Sequence, residues 1–418
     1  MIKEQLKNGL LKNSVWNILA SIVIRGGVFF LNILIARILG VTDFGKYVLI
    51  KSTVQTFENS IGSAFNLSTT KFLSENEKDK EQTKKVIFTN ICISLILSII
   101  VFLIFIIFSK DISIWILKKE EFFKYLIIAS FYFIFIGITQ NFIGILKGQK
   151  KFKVIFRLNT LVSVLNLFIV TLLTSFFSLK GAIIALTLYG FFQFIIFGFE
   201  VIRKNNNLIK ISRIDFDVIK KFNLPAILSG LGGPIAIWFV NLQLSNFSED
   251  GFIELGIFNS SFLIFALIVF LPVSISDVVF PYMNTHFNEN KDIKKMTYTN
   301  LIIVFCVSLI VSSVPFIFPR IILSFFGDDF IKGTEVLRMM CISAILSSML
   351  VFLGKTLATI NKMWQNLFFN YTWGVLLCFL SYFFIKEGAL GIAKAYLTSY
   401  SILFIIQLLY VNFKINKK

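Results

Sequence analysis

The chain has 418 residues, of which 56% are hydrophobic, and its formal net charge is +18. A soluble domain carries about 45–50% apolar residues, whereas here unbroken apolar blocks alternate with short Lys-rich connections. This pattern excludes an ordinary soluble domain. It also disfavours the enzyme classes that need a sizeable domain outside the membrane.

The apolar blocks predict a protein built from membrane-spanning helices. A spanning helix needs about 20 consecutive apolar residues, because the hydrocarbon layer is about 30 Å thick. This criterion predicts twelve spans, at residues 14–37, 44–68, 86–109, 122–146, 158–177, 182–202, 222–245, 252–282, 298–318, 336–360, 367–385 and 390–412. The basic N-terminal segment is followed by no small-residue cleavage site, so we expect the first span to be retained.

The predicted fold class is an all-α integral membrane protein with about twelve transmembrane helices in two six-helix bundles. The two predicted lobes are residues 1–210 and residues 211–418. Basic residues cluster near 71–85, 147–157 and 203–221, which all lie on the side of the N-terminus if the spans alternate. Cytoplasmic connections are enriched in Lys and Arg. Both termini are therefore predicted to be cytoplasmic, with anionic membrane lipids, and not nucleic acid, as partners of the basic connections.

Polar residues recur at helical spacing within the first two predicted spans. They are Asn17, Ser21, Arg25 and Asn32 in the first span and Lys51, Gln55, Glu58 or Asn59, and Asn66 in the second, which also has Gly62 on this stripe. Side chains three or four positions apart share a helix face, and ionisable groups in hydrocarbon are costly and mark functional sites. Two interpretations stay open: these residues line a shared hydrophilic cavity, or Arg25 or Lys51 forms a buried ion pair with Glu58.

The second half of the chain repeats this theme less strongly. Asn241 lies in the seventh predicted span and Asp277 in the eighth. In the seventh span, Pro234 directly follows Gly232 and Gly233. Proline removes a backbone hydrogen bond and glycine does not resist bending, so we expect a kinked or broken helix there. Interrupted helices in transporters commonly face the substrate path, and this span is a candidate gate.

Three segments carry a resemblance to a known family. The opening stretch SVWNILASIVIRGGVFFLNILIARILGVTDFGKYVLI contains the pattern A-R-x-L-G followed by D-F-G-x-Y, and the other two segments are ILKGQKKFK and FFGDDFIKGTEVLRMM. Together they resemble bacterial polysaccharide flippases of the O-antigen (Wzx) type, in the multidrug/oligosaccharidyl-lipid/polysaccharide (MOP) exporter superfamily. The resemblance implies two six-helix lobes in a V that opens alternately to each side of the cytoplasmic membrane.

The cargo implied by the resemblance is an oligosaccharide on undecaprenyl pyrophosphate, for cell-surface polysaccharide biosynthesis. Arg25, Lys46 and Lys51 are then candidates to bind the pyrophosphate through charge-assisted hydrogen bonds. The Asn, Gln and Ser side chains named above are candidates to bind sugars. Glu58 and Asp277 are candidates for coupling to protons or sodium, because a buried carboxylate can change its protonation state. A polysaccharide polymerase and chain-length proteins are the expected protein partners.

Three other functions are compatible with a chain of apolar spans. A cation-coupled multidrug exporter of the same superfamily would share the fold, but the basic bias of the first two spans disfavours cationic drugs. A membrane enzyme, such as a polysaccharide polymerase, is a weaker alternative, because no nucleophile–base pair or metal cluster is recognisable in the sequence. A structural membrane protein without cargo would not need the polar stripes. We therefore expect no enzymatic activity, no cofactor and no metal.

Overall fold

The computed structural model describes residues 2–75, 79–205, 211–288 and 293–416, and these residues form helices without any β-strand. The helices are α1 (Ile2–Glu75), α2 (Lys80–Ile107), α3 (Ser109–Leu117), α4 (Phe123–Gly148), α5 (Phe152–Asn205), α6 (Phe216–Val218), α7 (Leu224–Phe247), α8 (Gly251–Asn288), α9 (Ile293–Ile317), α10 (Pro319–Ser324), α11 (Thr334–Thr359), α12 (Met363–Phe384) and α13 (Gly388–Asn416). Short 3₁₀ turns and a five-residue π-helical turn, Ile219–Asn223, join some of them.

Nine stretches of the described chain are long and apolar enough to cross a membrane. Three of them, of 52, 53 and 56 residues, are each long enough for two crossings. Gly40 divides the first, Ser178 the second, and the 3₁₀ turn Ile385–Glu387 the third. The chain is a multi-pass membrane protein, and the predicted all-α fold class is confirmed.

In two of the predicted connections between spans, only one residue has a non-helical backbone conformation. At Gly40 the backbone has φ 72° and ψ 173°, and at Ser178 it has φ 48° and ψ −132°, while helix continues on both sides. Positive φ is open to glycine but strained for residues with a Cβ. The chain therefore reverses at these points with no loop between the two helical arms.

Contacts divide the chain into two compact units. Unit 1 comprises residues 1–39 and 49–234, and unit 2 comprises residues 40–48 and 235–418. The chain thus passes between units at Gly40, after Val48 and after Pro234. The predicted lobes, residues 1–210 and 211–418, stay a prediction.

In unit 2, the segment 40–48 packs against the start of α8. A Cβ added at Gly45 would lie 1.9 Å from the Phe252 carbonyl oxygen, and one added at Gly256 would lie 2.3 Å from the Val41 carbonyl oxygen. Phe44 is fully buried and meets Phe330 edge-on, with ring centroids 5.8 Å apart. Glycine is required here because the two backbones touch.

Helix α7 keeps its helical assignment through Pro234, so it is not broken at the predicted position. Thr56 donates a hydrogen bond to the Pro234 carbonyl oxygen at 3.5 Å. A Cβ added at Gly233 would meet no atom within 4 Å. The gating role of Gly232, Gly233 and Pro234 stays a prediction.

Candidate functional site

In unit 1, four side chains of α1 and α4 form what we call the unit 1 polar cluster: Asn32, Lys51, Glu58 and Tyr132. The Asn32 amide nitrogen donates to the Val28 carbonyl oxygen at 2.6 Å. Its Oδ1 atom therefore turns to Lys51, whose Nζ atom donates to it at 3.0 Å. Asn32 is only 3% exposed and Lys51 is half-buried, so an ammonium group is fixed inside a spanning segment.

Glu58 lies two helical turns beyond Lys51 on the same arm of α1. The Tyr132 hydroxyl donates to Glu58 Oε2 at 2.7 Å, and Tyr132 is 2% exposed. Lys51 and Glu58 attract each other electrostatically. The cluster thus contains one basic and one acidic side chain, each held by a neutral hydrogen-bonding neighbour from another helical segment.

A cavity of about 510 Å³ adjoins this cluster within unit 1. Its lining comprises Glu58, Ser63, Asn66, Leu67, Thr70, Gln140 and Lys147. The Asn66 amide donates to Gln140 Oε1 at 3.0 Å across α1 and α4. A Cβ at Gly62 would lie 2.8 Å from Gln140 Cγ. The glycine lets α4 approach closely enough for the two amides to pair.

Behind the cavity, a buried amide network joins α1, α2, α4 and the turn before α7. The Asn90 amide donates to Ser68 Oγ and to Thr69 Oγ1, both at 3.0 Å, and Asn90 Oδ1 accepts from Asn223 Nδ2 at 2.8 Å. Thr69 also donates to Asn141 Oδ1 at 3.1 Å. Buried polar networks in which the members are paired favour one arrangement of the helices.

The structure brings some predicted site residues together and separates others. Asn32 and Lys51 form a hydrogen bond in unit 1. Glu58 follows Lys51 two helical turns later and interacts with it electrostatically. Lys46 instead lies in unit 2, where its Nζ atom is 2.7 Å from Asp43 Oδ1. Asn241 also lies in unit 2, buried at 3% exposure.

The remaining predicted residues differ in burial. In unit 1, the side chain of Arg25 is exposed, and those of Ser21 and Gln55 are half-buried. Asn17, Asn59 and Asp277 have side chains outside the described part of the structure. The binding and coupling roles assigned to these residues stay predictions.

Sequence reasoning missed Tyr132, Gln140, Asn90 and Asn141. The latter three are amides inside predicted spans, and a search for Asn and Gln in apolar runs would have found them. Nothing in the pattern around Tyr132 marks it as the partner of Glu58. Among the described residues, no group of three or more His, Cys, Asp or Glu is placed to hold a metal ion.

Similar solved structures define the class of the fold. One is an inward-facing multidrug resistance MATE family transporter of the MOP superfamily, with a TM-score of 0.83 and 16% identity over 96% of this chain and 98% of that one. An outward-facing MATE family transporter matches with a TM-score of 0.72 and 16% identity over 98% of this chain and 96% of the other. A MOP superfamily transporter from Pyrococcus furiosus, described as having a binding pocket of reverse polarity, has a TM-score of 0.73 and 17% identity over 99% of this chain and 97% of that one.

The fold is that of a MOP superfamily transporter. Residues 10–287 match the sequence profile of a family described as "Polysaccharide biosynthesis protein". This match covers more than half of the chain, and the protein belongs to that family of MOP-type flippases. No curated protein matches the chain.

Proposed function

We propose that this protein is a flippase that moves undecaprenyl-pyrophosphate-linked oligosaccharide units across the cytoplasmic membrane by alternating access. Membership in a polysaccharide biosynthesis family supports a glycan cargo. The structural observation that carries the proposal is the ammonium group of Lys51, fixed by Asn32 inside a spanning segment of unit 1.

A pyrophosphate inside a membrane protein needs positive charge and hydrogen-bond donors, because burying an unpaired anion is costly. Lys51 supplies a charge-assisted donor, and such bonds are about twice as strong as neutral ones. Arg25, two turns before Asn32 on the first arm of α1, adds a planar guanidinium suited to bidentate phosphate binding. The polyprenyl tail would stay in the lipid.

Drug export is the competing function, since two of the similar structures are of multidrug transporters. A cationic drug requires an available carboxylate. Glu58 is the acidic residue of the unit 1 polar cluster. It already accepts a hydrogen bond from the Tyr132 hydroxyl and is attracted electrostatically to Lys51. The basic side chains proposed to bind cargo, Arg25 and Lys51, outnumber this acid, and the balance of charge favours an anionic cargo.

The proposal includes a cytoplasmic-membrane location with both termini in the cytoplasm. The basic segments near residues 71–85, 147–157 and 203–221 support this orientation, because cytoplasmic connections are rich in Lys and Arg. A polysaccharide polymerase and chain-length proteins are the proposed partners, because a flipped repeat unit must next be polymerised.

The test is a flipping assay in liposomes that contain the purified protein and a fluorescent undecaprenyl-pyrophosphate-linked oligosaccharide. We expect the wild-type protein to equilibrate the lipid between leaflets, and Arg25→Ala or Lys51→Met to slow this by about tenfold or more, since a charged hydrogen bond contributes about 1.5–3 kcal/mol. Arg25→Lys should restore only part of the rate.

The matched control is Lys332→Met, which removes a lysine that is exposed in a 3₁₀ turn of unit 2. Its rate should equal that of the wild type. Wild-type protein that leaves the lipid in one leaflet but exports cationic dyes would replace the flippase proposal with drug export.

A further inference from the structure

Unit 2 contains a second cavity, of about 450 Å³, between α11, α12 and α13. Its lining comprises Ser347, Leu350, Val351, Gly354, Lys355, Ala358, Met363, Asn366, Asn370, Trp373, Tyr400, Leu403 and Gln407. Small-molecule sites in proteins are clefts of about 300–1,000 Å³ with a few placed polar groups in an apolar wall. This cavity, here called the unit 2 cavity, has that size and that mixture.

The polar part of the unit 2 cavity is mostly uncharged. Asn366, Asn370 and Gln407 contribute carboxamides, and Gln407 is only 2% exposed. Each carboxamide offers two donors and a carbonyl acceptor. This combination matches a ligand whose groups both donate and accept, as hydroxyl groups do. None of the described lining residues is a carboxylate, which disfavours a cationic ligand.

Two aromatic rings form a rigid wall of the same cavity. Trp373 and Tyr400 are stacked, with ring centroids 5.2 Å apart and planes 17° apart, and Phe265 stacks on Tyr400 with centroids 6.1 Å apart. Trp and Tyr present an apolar body together with a polar tip. A wall of this kind suits a ligand with apolar C–H faces and polar edges.

The indole nitrogen of Trp373 is a further polar group beside the unit 2 cavity. Trp373 Nε1 is buried and has no hydrogen-bond partner among the described residues. Buried polar groups are nearly always paired, and an unpaired one calls for a specific explanation. An acceptor on a ligand in the unit 2 cavity would satisfy this N–H group once the indole ring turns its edge toward the cavity.

Gly354 positions one of the amides. A Cβ at this position would lie 2.7 Å from Asn366 Oδ1, so the glycine makes room for the amide against α11. The Lys355 ammonium, which also lines the cavity, donates to the Val273 carbonyl oxygen at 3.3 Å.

We propose that the unit 2 cavity binds an uncharged, hydroxyl-rich sugar residue of the cargo. The carboxamides would hydrogen-bond the hydroxyl groups, the Trp373–Tyr400 wall would cover the C–H face, and the indole N–H would donate to a sugar oxygen. This inference rests on the proposed function, because the sugar belongs to the lipid-linked cargo.

The experiment compares lipids with and without a sugar. Protein in nanodiscs free of sugar-based detergent is titrated with undecaprenyl pyrophosphate, and with the same lipid carrying one glucose, galactose or N-acetylglucosamine residue. We expect at least one sugar-bearing lipid to bind about tenfold more tightly than the bare lipid, which corresponds to one or two net hydrogen bonds.

Substitutions in the unit 2 cavity test whether the gain in affinity from the sugar arises there. Asn366→Leu and Gln407→Leu should abolish the tenfold gain, and Trp373→Phe, which keeps an aromatic ring but lacks the N–H group, should reduce it severalfold. Unchanged binding of the bare lipid shows that each variant is folded. The matched control is Asn300→Leu in α9, since Asn300 donates only to the Met296 carbonyl oxygen of its own helix and does not line the cavity.

The two proposals fail in different ways. Equal binding of the bare and all three sugar-bearing lipids, or variants that keep the full gain, would overturn the sugar site and leave the flippase proposal in place. Wild-type protein that binds neither kind of lipid would overturn the flippase proposal, and the sugar site with it.

Discussion

Both units pack aromatic rings between their spanning helices, but they differ in the polar groups that join those helices. In unit 1, amide and hydroxyl groups of α1, α2 and α4 pair with one another, with Asn90 at the centre. In unit 2, aromatic rings of α8, α12 and α13 pack together, including Phe258, Phe265, Trp373, Tyr396 and Tyr400.

This difference bears on function. Polar groups that satisfy each other fix the register of helices and leave little binding capacity. Rings that pack by dispersion leave polar atoms such as Trp373 Nε1 and Tyr396 Oη without partners among the described residues. Within the part of the chain that the structure describes, Asn223 Oδ1 and Gln193 Oε1 of unit 1 are unpaired as well. What distinguishes unit 2 is that one of its unpaired residues, Trp373, lines a cavity.

The largest loss of stability is expected from a substitution at the close backbone contact in unit 2. Gly45→Ala places a methyl group where a Cβ would lie 1.9 Å from the Phe252 carbonyl oxygen. Because two backbones must separate, we expect a loss of about 3 kcal/mol, at the upper end for overpacking. Thermal unfolding in nanodiscs measures it.

The control for this glycine is Gly26→Ala, where a Cβ would meet no atom within 4 Å. It should be neutral or slightly stabilising, since alanine favours helix over glycine by about 1 kcal/mol. Equal stability of both variants would show that segment 40–48 does not depend on close packing against α8.

A smaller effect is expected from the centre of the unit 1 network. Asn90→Leu removes the acceptor for Asn223 and the donor to Ser68 and Thr69. Buried groups left unpaired cost about 1–3 kcal/mol each in water-soluble proteins, and membrane hydrogen bonds average about 0.6 kcal/mol. We therefore expect a loss of about 2 kcal/mol, measured by the same unfolding assay.

Asn300→Leu is again the matched control, because Asn300 bonds only within its own helix. If Asn90→Leu is as stable as this control, the unit 1 network does not stabilise the fold.

The smallest loss of stability is expected from a substitution in the unit 1 polar cluster. Tyr132→Phe removes the hydroxyl that donates to Glu58 Oε2. One charged hydrogen bond is lost, and we expect a loss of about 1.5 kcal/mol in the free energy of unfolding. Tyr382→Phe, at a residue that is 66% exposed, should change it by less than about 0.5 kcal/mol. A larger change for Tyr382 than for Tyr132 would contradict the assignment.

Much of the fold could be predicted from the sequence, because span length follows from membrane thickness. The apolar blocks predicted the spans on both sides of Gly40 and Ser178. They did not predict that each connection is one residue with positive φ inside a long helical stretch. Hydropathy averages over many positions and is insensitive to the backbone conformation of one.

The candidate site was predicted less completely. Helical spacing placed Asn32 and Lys51 on polar faces of consecutive spans, and the structure joins them. The pairing of Glu58 with Tyr132 could not be predicted, since it depends on how closely α4 approaches α1. The D-F-G segment, which carried the family resemblance, proves to be a packing element: Phe44 is buried and Gly45 contacts the backbone of α8.

The membership of residues 40–48 in unit 2 affects the order of folding. The ribosome delivers this segment early, whereas its partner backbone at Phe252–Gly256 emerges roughly 200 residues later, and chains fold from the N-terminus as they are made. The two arms of α1 are therefore inserted in the membrane before segment 40–48 can pack against α8. The N-terminal half of the chain cannot complete its packing before the C-terminal half is made. A chain truncated before α8 would leave Phe44 without its burial site.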